Sequence, residues 1–265
     1  MSQAKTLFDE GKLGPAIEKL TSEVKASPGN TGLRTFLFEL LCFSGDWDRA
    51  ERQLDVIGHQ SASAKIGVEA YRNNINAERH RREFFVNGVK PHFLKEPPPY
   101  IETLVSAVKE LNQANYHAAE EFLERVEQER PRLSGKSDDG VFRDFGDCED
   151  LIAPVLEMFV LDKYTWLPFE QIKQIEILSP RNLRDLLWAN ARIETIDGAA
   201  AEVFVPVLYA NSSEHPNDEV KLGRRTEWTS HGNDLNRAAG SRIFLIDDEE
   251  KHIFDSRTIE FTTPN

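Results

Sequence analysis

A repeat in the first half of the chain constrains its fold more than any other feature. The segment Gly-Lys-Leu-Gly-Pro-Ala begins at Gly11, and Gly-Asp-Trp-Asp-Arg-Ala begins 34 residues later at Gly45. In both, the glycine precedes an alanine, Ala16 or Ala50, by five positions. Glycine ends a helix by adopting a left-handed backbone, and alanine allows the next helix to pack closely. Because 34 residues is the tetratricopeptide period, the spacing predicts stacked helical hairpins.

A third, weaker copy of the motif extends the repeat. Ala114 precedes Ala119 by the same five positions, and Pro28 and Pro131 each lie 17 residues after the start of their own motif. The distance between the two prolines requires one more repeat, around residues 62–88, which lacks the glycine and alanine. Chance similarity among helices is the alternative, but glycine, alanine and proline all in register favour a true repeat.

The helical pattern breaks at residues 91–99, which contain four prolines, before a last helix pair that begins at Tyr100. A polar, glycine-containing stretch at residues 133–140 is interpreted as a linker. Residues 151–159 are interpreted as a helix that carries Leu151, Val155, Leu156 and Phe159.

The sequence after residue 160 predicts short strands with one short helix. Residues 175–178 are predicted as a strand, and a helix is expected to begin at Ser179-Pro180 and run through Leu187. Residues 191–196 and 201–209 flank Asp197-Gly198, which is a hairpin turn signal. Two more strands are expected at 242–246 and 252–261, separated by an acidic turn. The fold class is therefore α+β, with an all-α tetratricopeptide-like domain over residues 1–132 and a mixed, mostly antiparallel α+β domain over 141–265.

Charge and composition restrict the class of partner and the compartment. The net charge of −13 is divided into about −2 over residues 1–135 and −11 over the remainder. Because affinity for nucleic acid depends on neutralising phosphates, we expect no nucleic-acid partner, and no binding to an anionic membrane surface. No apolar run reaches the length of a membrane span or of a secretory signal, and Cys42 and Cys148 lie far apart. These features favour a cytoplasmic protein without a disulfide framework.

The sequence offers few candidates for catalysis or metal binding. Glycine-rich phosphate loops, nucleophile elbows and paired metal-binding histidines are not found in it. Six carboxylates cluster at Asp138, Asp139, Asp144, Asp147, Glu149 and Asp150. They lack the alternating spacing of a calcium loop, and Asp147 and Asp150 could instead cap the predicted helix. We therefore expect no catalytic residue, metal or cofactor.

Arginines form a second candidate site. Arg224 and Arg225 lie close to Trp228, and with Arg242 they could bind an anionic ligand, although pairing with the chain's own carboxylates is the favoured interpretation. A further run, Arg72, Arg79, Arg81 and Arg82, is interpreted as one solvated helix face. Trp166 and Trp188 are expected to be core residues.

A concave surface lined by the inner helices is the predicted binding site for a partner polypeptide, because helical solenoids bind extended or helical peptides along such a surface. The inner helices are placed at residues 31–43, 65–77 and 100–112. Their groove side is predicted to present Thr35, Glu39, Phe43, Glu69, Asn73, Asn76, Ile101, Leu104 and Val108. Several of these side chains could instead be buried between helices. A weaker alternative is capture of carboxyl-terminal carboxylates, for which the groove supplies asparagines but no lysine.

Several segments resemble one protein family in order along the chain. They include residues 71–78, the Pro-His-Phe-Leu-Lys-Glu-Pro-Pro string within 88–99, residues 154–157, the residues Tyr164, Trp166, Pro168 and Phe169, and the segments 183–188 and 222–228. In these segments the chain resembles the ImpE/SciE (TagJ) family of type VI secretion accessory proteins. At residues 147–154 the family typically has an acidic-rich segment with an arginine and then Gly-Pro. This chain has no arginine there, so an ion pair made by that arginine is expected to be lost.

The resemblance implies a non-enzymatic adaptor role. Proteins of this kind are similar to adaptors of the contractile sheath, with the small sheath subunit as partner and an indirect link to an AAA+ unfoldase. The resemblance supplies no catalytic residue. The alternative is that the C-terminal domain binds or processes an anionic small molecule through its arginine cluster.

Overall fold

The computed structural model describes residues 2–60 and 64–262. The first two residues of the predicted repeat at 62–88 and the last three residues of the chain lie outside these ranges. Helices dominate the first half. They are α1 (Gln3–Asp9), α2 (Leu13–Ala26), α3 (Thr31–Phe43), α4 (Trp47–Gln60), α5 (Lys65–Asn87), α6 (Tyr100–Asn112) and α7 (Tyr116–Glu129), with a short α8 (Asp218–Lys221) much later. None of the described helices is long and apolar enough to span a membrane.

The repeat motif has the structural role predicted for it. Gly11 and Gly45 have φ values of 76° and 70°, and each lies in the turn between the helices of a hairpin. Ala114 occupies the equivalent turn with φ 58°, a conformation that disfavours any residue with a Cβ. The alanines five positions later are fully buried where the paired helices approach. The predicted hairpins α1–α2, α3–α4 and α6–α7 are confirmed.

The repeat without the motif is a single helix rather than a hairpin. Position 79, where the period places the turn glycine, is Arg79, and α5 continues through it for two more turns to Gly88. Gly88 then ends the helix with φ 69°. The missing glycine therefore explains why α5 is 23 residues long and has no partner helix of its own repeat.

The second half is built around a nine-stranded sheet in the order β1-β6-β5-β9-β8-β7-β14-β2-β3, with smaller sheets β10-β11 and β13-β12-β4. The strands are β1 (His92–Phe93), β2 (Gly135–Ser137), β3 (Gly140–Phe142), β4 (Phe145–Asp147), β5 (Val155–Val160), β6 (Lys163–Pro168), β7 (Ile172–Ile177), β8 (Trp188–Thr195), β9 (Ala200–Pro206), β10 (Glu227–His231), β11 (Leu235–Ala239), β12 (Ile243–Ile246), β13 (Glu249–His252) and β14 (Thr258–Phe261). Except for β1 with β6, the strands pair antiparallel. The α+β class and the β8–β9 hairpin around Gly198 are confirmed.

Several local predictions were wrong. Residues 155–160 form strand β5 rather than a helix, because a strand buried on both faces has no alternation to distinguish it from a buried helix. The helix expected after Ser179 is reduced to one 3-10 turn, Leu183–Leu186. Asn182 caps the start of this turn and forms a capping box with Asp185. Most of the expected linker pairs into the β2–β3 hairpin. The acidic stretch after Ile246 turns at 247–248 and continues as β13, and the single strand expected over 252–261 is interrupted.

Helices and sheet share one continuous core. Helix α5 lies against the sheet, and the ring of Phe84 meets Trp166 of β6 edge to face with centroids 4.7 Å apart. On α6, the Tyr100 hydroxyl donates to Glu170, which follows β6, at 2.8 Å. The sheet thus fills the inner side of the helical array.

Candidate functional site

The predicted partner groove is occupied by the chain's own sheet and core. Phe43, Ile101, Leu104 and Val108 are at most 1% exposed, and Glu39 is 7% exposed. These side chains belong to the interior, as the alternative interpretation allowed, and in this conformation no partner could reach them.

Glu39 shows how the groove is closed. Arg184, from the 3-10 turn before β8, donates to the Glu39 carboxylate at 2.9 Å and to the Tyr71 hydroxyl at 2.6 Å. Its guanidinium also lies over the Tyr71 ring, 4.9 Å from the centroid, and that ring stacks on Trp188. Burial raises the pKa of Glu39 despite the nearby arginine. The part of the groove around Glu39 and Tyr71 is therefore an internal interface.

The other four predicted groove residues keep at least partial exposure. Thr35, Asn73 and Asn76 are half-buried and Glu69 is exposed. Glu69 pairs with Arg72 at 2.9 Å, and Asn76 accepts a hydrogen bond from Arg79 at 3.1 Å. They do not converge with the buried residues on one open surface, and their role in partner binding stays a prediction.

A buried ion network joins α5 to the sheet. Arg81 of α5 donates to both carboxylate oxygens of Glu157 on β5, at 2.8 and 2.6 Å, and to the Leu208 carbonyl at 2.9 Å. Arg242 and the Tyr164 hydroxyl donate to the same carboxylate. Burial alone would raise the pKa of Glu157, but the two arginines outweigh it and lower the pKa to about 2. Arg81 is thus an exception to the solvated face predicted for its arginine run.

Asp147 completes the network. Arg242 donates to it at 2.6 Å and the Tyr209 hydroxyl at 2.9 Å, and all of these groups are buried. Burial raises the pKa of Asp147 to about 7, although Arg242 opposes the shift. Arg242 is 0% exposed and each of its three nitrogens donates to a partner within the chain, so an outside anion cannot reach it. For Arg242, the predicted internal ion pair is confirmed.

The other two arginines of the proposed anion site point elsewhere. Arg224 donates to the backbone carbonyls of Phe8 and Asp9, at 2.8 and 3.1 Å, at the end of α1. Arg225 lies beside Glu227 at 3.3 Å and is exposed. The three arginines therefore make separate contacts rather than one anion pocket.

The acidic cluster at residues 138–150 is distributed over structural contacts. Asp138 accepts backbone N–H groups at the start of β14, Asp144 pairs with Arg130 at 2.9 Å, and Glu149 pairs with the buried Arg237. Asp150 accepts the Asn236 N–H at 2.7 Å. Asp147 and Glu149 thus obtain arginine partners, Arg242 and Arg237, from a distant part of the sequence, although residues 147–154 contain no arginine. Among residues 2–60 and 64–262, no group of acidic, histidine or cysteine side chains is arranged to hold a metal ion.

An open cleft lies between α7 and the β10–β11 hairpin. Its volume is about 720 Å³. The Glu120 carboxylate on α7 fixes the hairpin tip by accepting the N–H groups of Asn233 and Asp234, the second at 3.0 Å. The cleft is lined by His117, Glu120, Glu121, Leu123, Glu124, Val126, Glu127, Gln128, Arg130, Asp150, Ala153, Asn233, Asp234 and Leu235. The cleft was not predicted from the sequence, in which the four glutamates within residues 120–127 are its one local signal.

Comparison with known proteins covers both halves of the chain. Over 258 residues, 97% of this chain and 90% of the relative, it is 34% identical to a Pseudomonas aeruginosa protein named type VI secretion system accessory component TagJ. The chain belongs to the ImpE (TagJ) family. The family model described as ImpE protein matches residues 139–260. The fold of this family member is also that of the crystal structure of protein VPA1032 from Vibrio parahaemolyticus, with TM-score 0.91 and 26% identity over 99% of this chain and 98% of that one.

Proposed function

We propose that this protein is a non-enzymatic accessory component of a bacterial type VI secretion system, acting in the cytoplasm as an adaptor. The observation that carries the proposal is the 34% identity over 97% of the chain to a relative named as such a component. The region that matches this relative includes both the helical repeat and the sheet. The two proteins therefore share all the parts on which the same role could depend.

The buried charged groups are consistent with an adaptor. The carboxylates of Glu157 and Asp147 are held by arginines inside the core, and Glu39 is held by Arg184. Each of these carboxylates is at most 7% exposed, so in this conformation none of them is open to a substrate. The arginines offered for an anionic ligand also make separate contacts, so the anion-binding alternative has no observation in its favour.

The partner that we propose is the small subunit of the contractile sheath, bound through the helical repeat, with an indirect link to an AAA+ unfoldase. The test is calorimetric titration of the purified chain with the purified small sheath subunit from the same organism. We expect saturable binding of one sheath subunit per chain. Absence of binding heat at two temperatures, together with no co-elution on size exclusion, would refute this partner.

A further inference from the structure

The cleft between α7 and the β10–β11 hairpin is an open concave surface, and its location on the helical repeat makes it relevant to partner binding. We propose that this cleft is the docking site for a cationic amphipathic segment of the protein partner. The inference rests on the proposed adaptor function and adds the place of docking and the chemistry of the docked segment.

The shape of the cleft suits a peptide. Its apolar lining residues are Leu123, Val126, Ala153 and Leu235, of which Leu123 is half-buried and so keeps apolar surface for contact. Next to it, a second depression of about 580 Å³ continues along α7 past Tyr116, a residue that is 37% exposed. The two depressions share His117, Glu120 and Asn233 in their walls. A partner side chain could therefore be anchored at Leu123 and another at Tyr116.

The charges of the residues that line the cleft indicate which sign of charge a bound segment should carry. Six carboxylates line the cleft, those of Glu120, Glu121, Glu124, Glu127, Asp150 and Asp234. The cationic or titratable side chains in the same lining are Arg130 and His117. Arg130 is already engaged by Asp144 at 2.9 Å and by Glu127. The electrostatic potential of the cleft is therefore negative, and complementarity between the two surfaces favours a cationic segment.

Two of these carboxylates are available to a partner without disturbing the fold. Glu124 forms no ion pair with any described residue, and Glu121 has only the exposed His117, at 3.4 Å. Both are exposed and line the cleft. Glu120 and Glu127, in contrast, support the hairpin tip and Arg130. Glu121 and Glu124 are three residues apart and so lie on one side of the helix, where they could contact successive lysines or arginines of a bound helix.

The test compares charge reversal in the cleft with the same change elsewhere. The first variant is Glu121→Lys/Glu124→Lys, and the control is Glu18→Lys/Glu260→Lys, which reverses two exposed acids of α2 and β14. The probe is a fluorescein-labelled amphipathic peptide with leucine and lysine at helical spacing, and a second peptide has glutamate in place of lysine. Binding is followed by fluorescence anisotropy at low and high salt, and circular dichroism verifies folding of each variant.

We expect the lysine peptide to bind the unmodified protein and the glutamate peptide not to bind. The cleft variant should lose affinity by about tenfold or more, equivalent to about 1.4 kcal/mol, and the control by less than about twofold. The affinity of the unmodified protein should also fall at high salt. Equal losses in the two variants, or equal binding of the two peptides, would overturn the inference.

The same two variants separate this inference from the proposed function. If the small sheath subunit binds the unmodified protein and the cleft variant binds it at least about tenfold more weakly, both proposals are supported. If the sheath subunit binds the cleft variant as tightly as the unmodified protein, the docking site is wrong and the adaptor function stands. If the lysine peptide binds in the cleft but the sheath subunit does not bind at all, the partner named in the proposed function is wrong.

Discussion

The ion network between α5 and the sheet provides the sharpest test of how the two halves are held together. We predict that Arg81→Met strongly destabilises the protein. Methionine is also long and unbranched, so it fills much of the same space, but it removes the three hydrogen bonds that Arg81 donates to Glu157 and Leu208. Glu157 is 0% exposed and would keep only Arg242 and the Tyr164 hydroxyl as partners.

The expected magnitude follows from this burial. Removing one partner of a buried ion pair typically costs about 3–5 kcal/mol, because the other charge remains in a low-dielectric site. The Leu208 carbonyl also loses its bond to the guanidinium. For a chain of this size the urea dependence of the unfolding free energy is on the order of 3 kcal/mol per molar urea. The urea midpoint should therefore fall by about 1–1.7 M.

The adjacent residue offers a matched control. Arg82 lies on the same helix and pairs with Glu214 at 2.7 Å, but both side chains are more than half exposed. Because exposed ion pairs contribute at most about 1 kcal/mol, Arg82→Met should move the midpoint by less than about 0.3 M. Unfolding is followed by far-ultraviolet circular dichroism and tryptophan fluorescence. Equal midpoints for the two variants would show that the Arg81–Glu157 contact does not hold the halves together.

Three further predictions concern the helical turn and the buried acids. Ala114→Gly should stabilise the protein by about 0.5–1 kcal/mol. The left-handed backbone costs alanine about 1–2 kcal/mol, and part of the gain on changing to glycine is lost because glycine has more chain entropy to lose on folding. Gly45→Ala should destabilise the protein, and thermal melts of both variants test the two signs. The pKa of Glu157 is lowered to about 2, so its folded form binds fewer protons than its unfolded form, and unmodified protein should lose stability as the pH falls from about 5 to 2. In urea titrations over that range, Glu157→Gln should start less stable and show a smaller slope; an unchanged slope counts against the assignment. The pKa of Asp150 is raised to about 6, chiefly by burial, so its ionised form opposes folding as the pH rises from about 4 to 6. Asp150→Asn should therefore match the unmodified protein at pH 4 and exceed its stability by up to about 3 kcal/mol at pH 7, and a deficit at pH 7 would contradict the shift.

The helical repeat could be predicted from the sequence because its signals are local. A glycine in a turn and an alanine at a close helix contact each act within one hairpin, so Gly11, Gly45 and their alanines were sufficient. The same logic accounts for the long helix α5. Where the period places Arg79 instead of glycine, no residue favours the left-handed backbone that would end the helix.

The interior of the sheet and the location of the groove could not be predicted in the same way. Strand β5 is buried on both faces, so its apolar residues show no period of two. Arg81 pairs with Glu157, which is 76 residues away in sequence, and Glu39 with Arg184, which is 145 residues away. No local pattern distinguishes such arginines and acids from solvated ones. The sequence suggested an open groove because the repeat alone has one, and only the tertiary fold shows what fills it.

The closed groove also limits how a partner can bind. To reach the buried side chains of the inner helices, a partner would have to separate α5 from the sheet and expose Phe84, Trp166 and Trp188, each of which is at most 1% exposed. Aromatic side chains bury about 150–250 Å² each, so exposing half of that area costs about 6–9 kcal/mol at 25 cal/mol per Å². Breaking the Arg81–Glu157 pair adds about 3–5 kcal/mol. The sum exceeds the roughly 8 kcal/mol released by a micromolar complex. A partner of ordinary affinity must therefore bind outer surfaces of the closed form, and the acidic cleft along α7 meets that requirement.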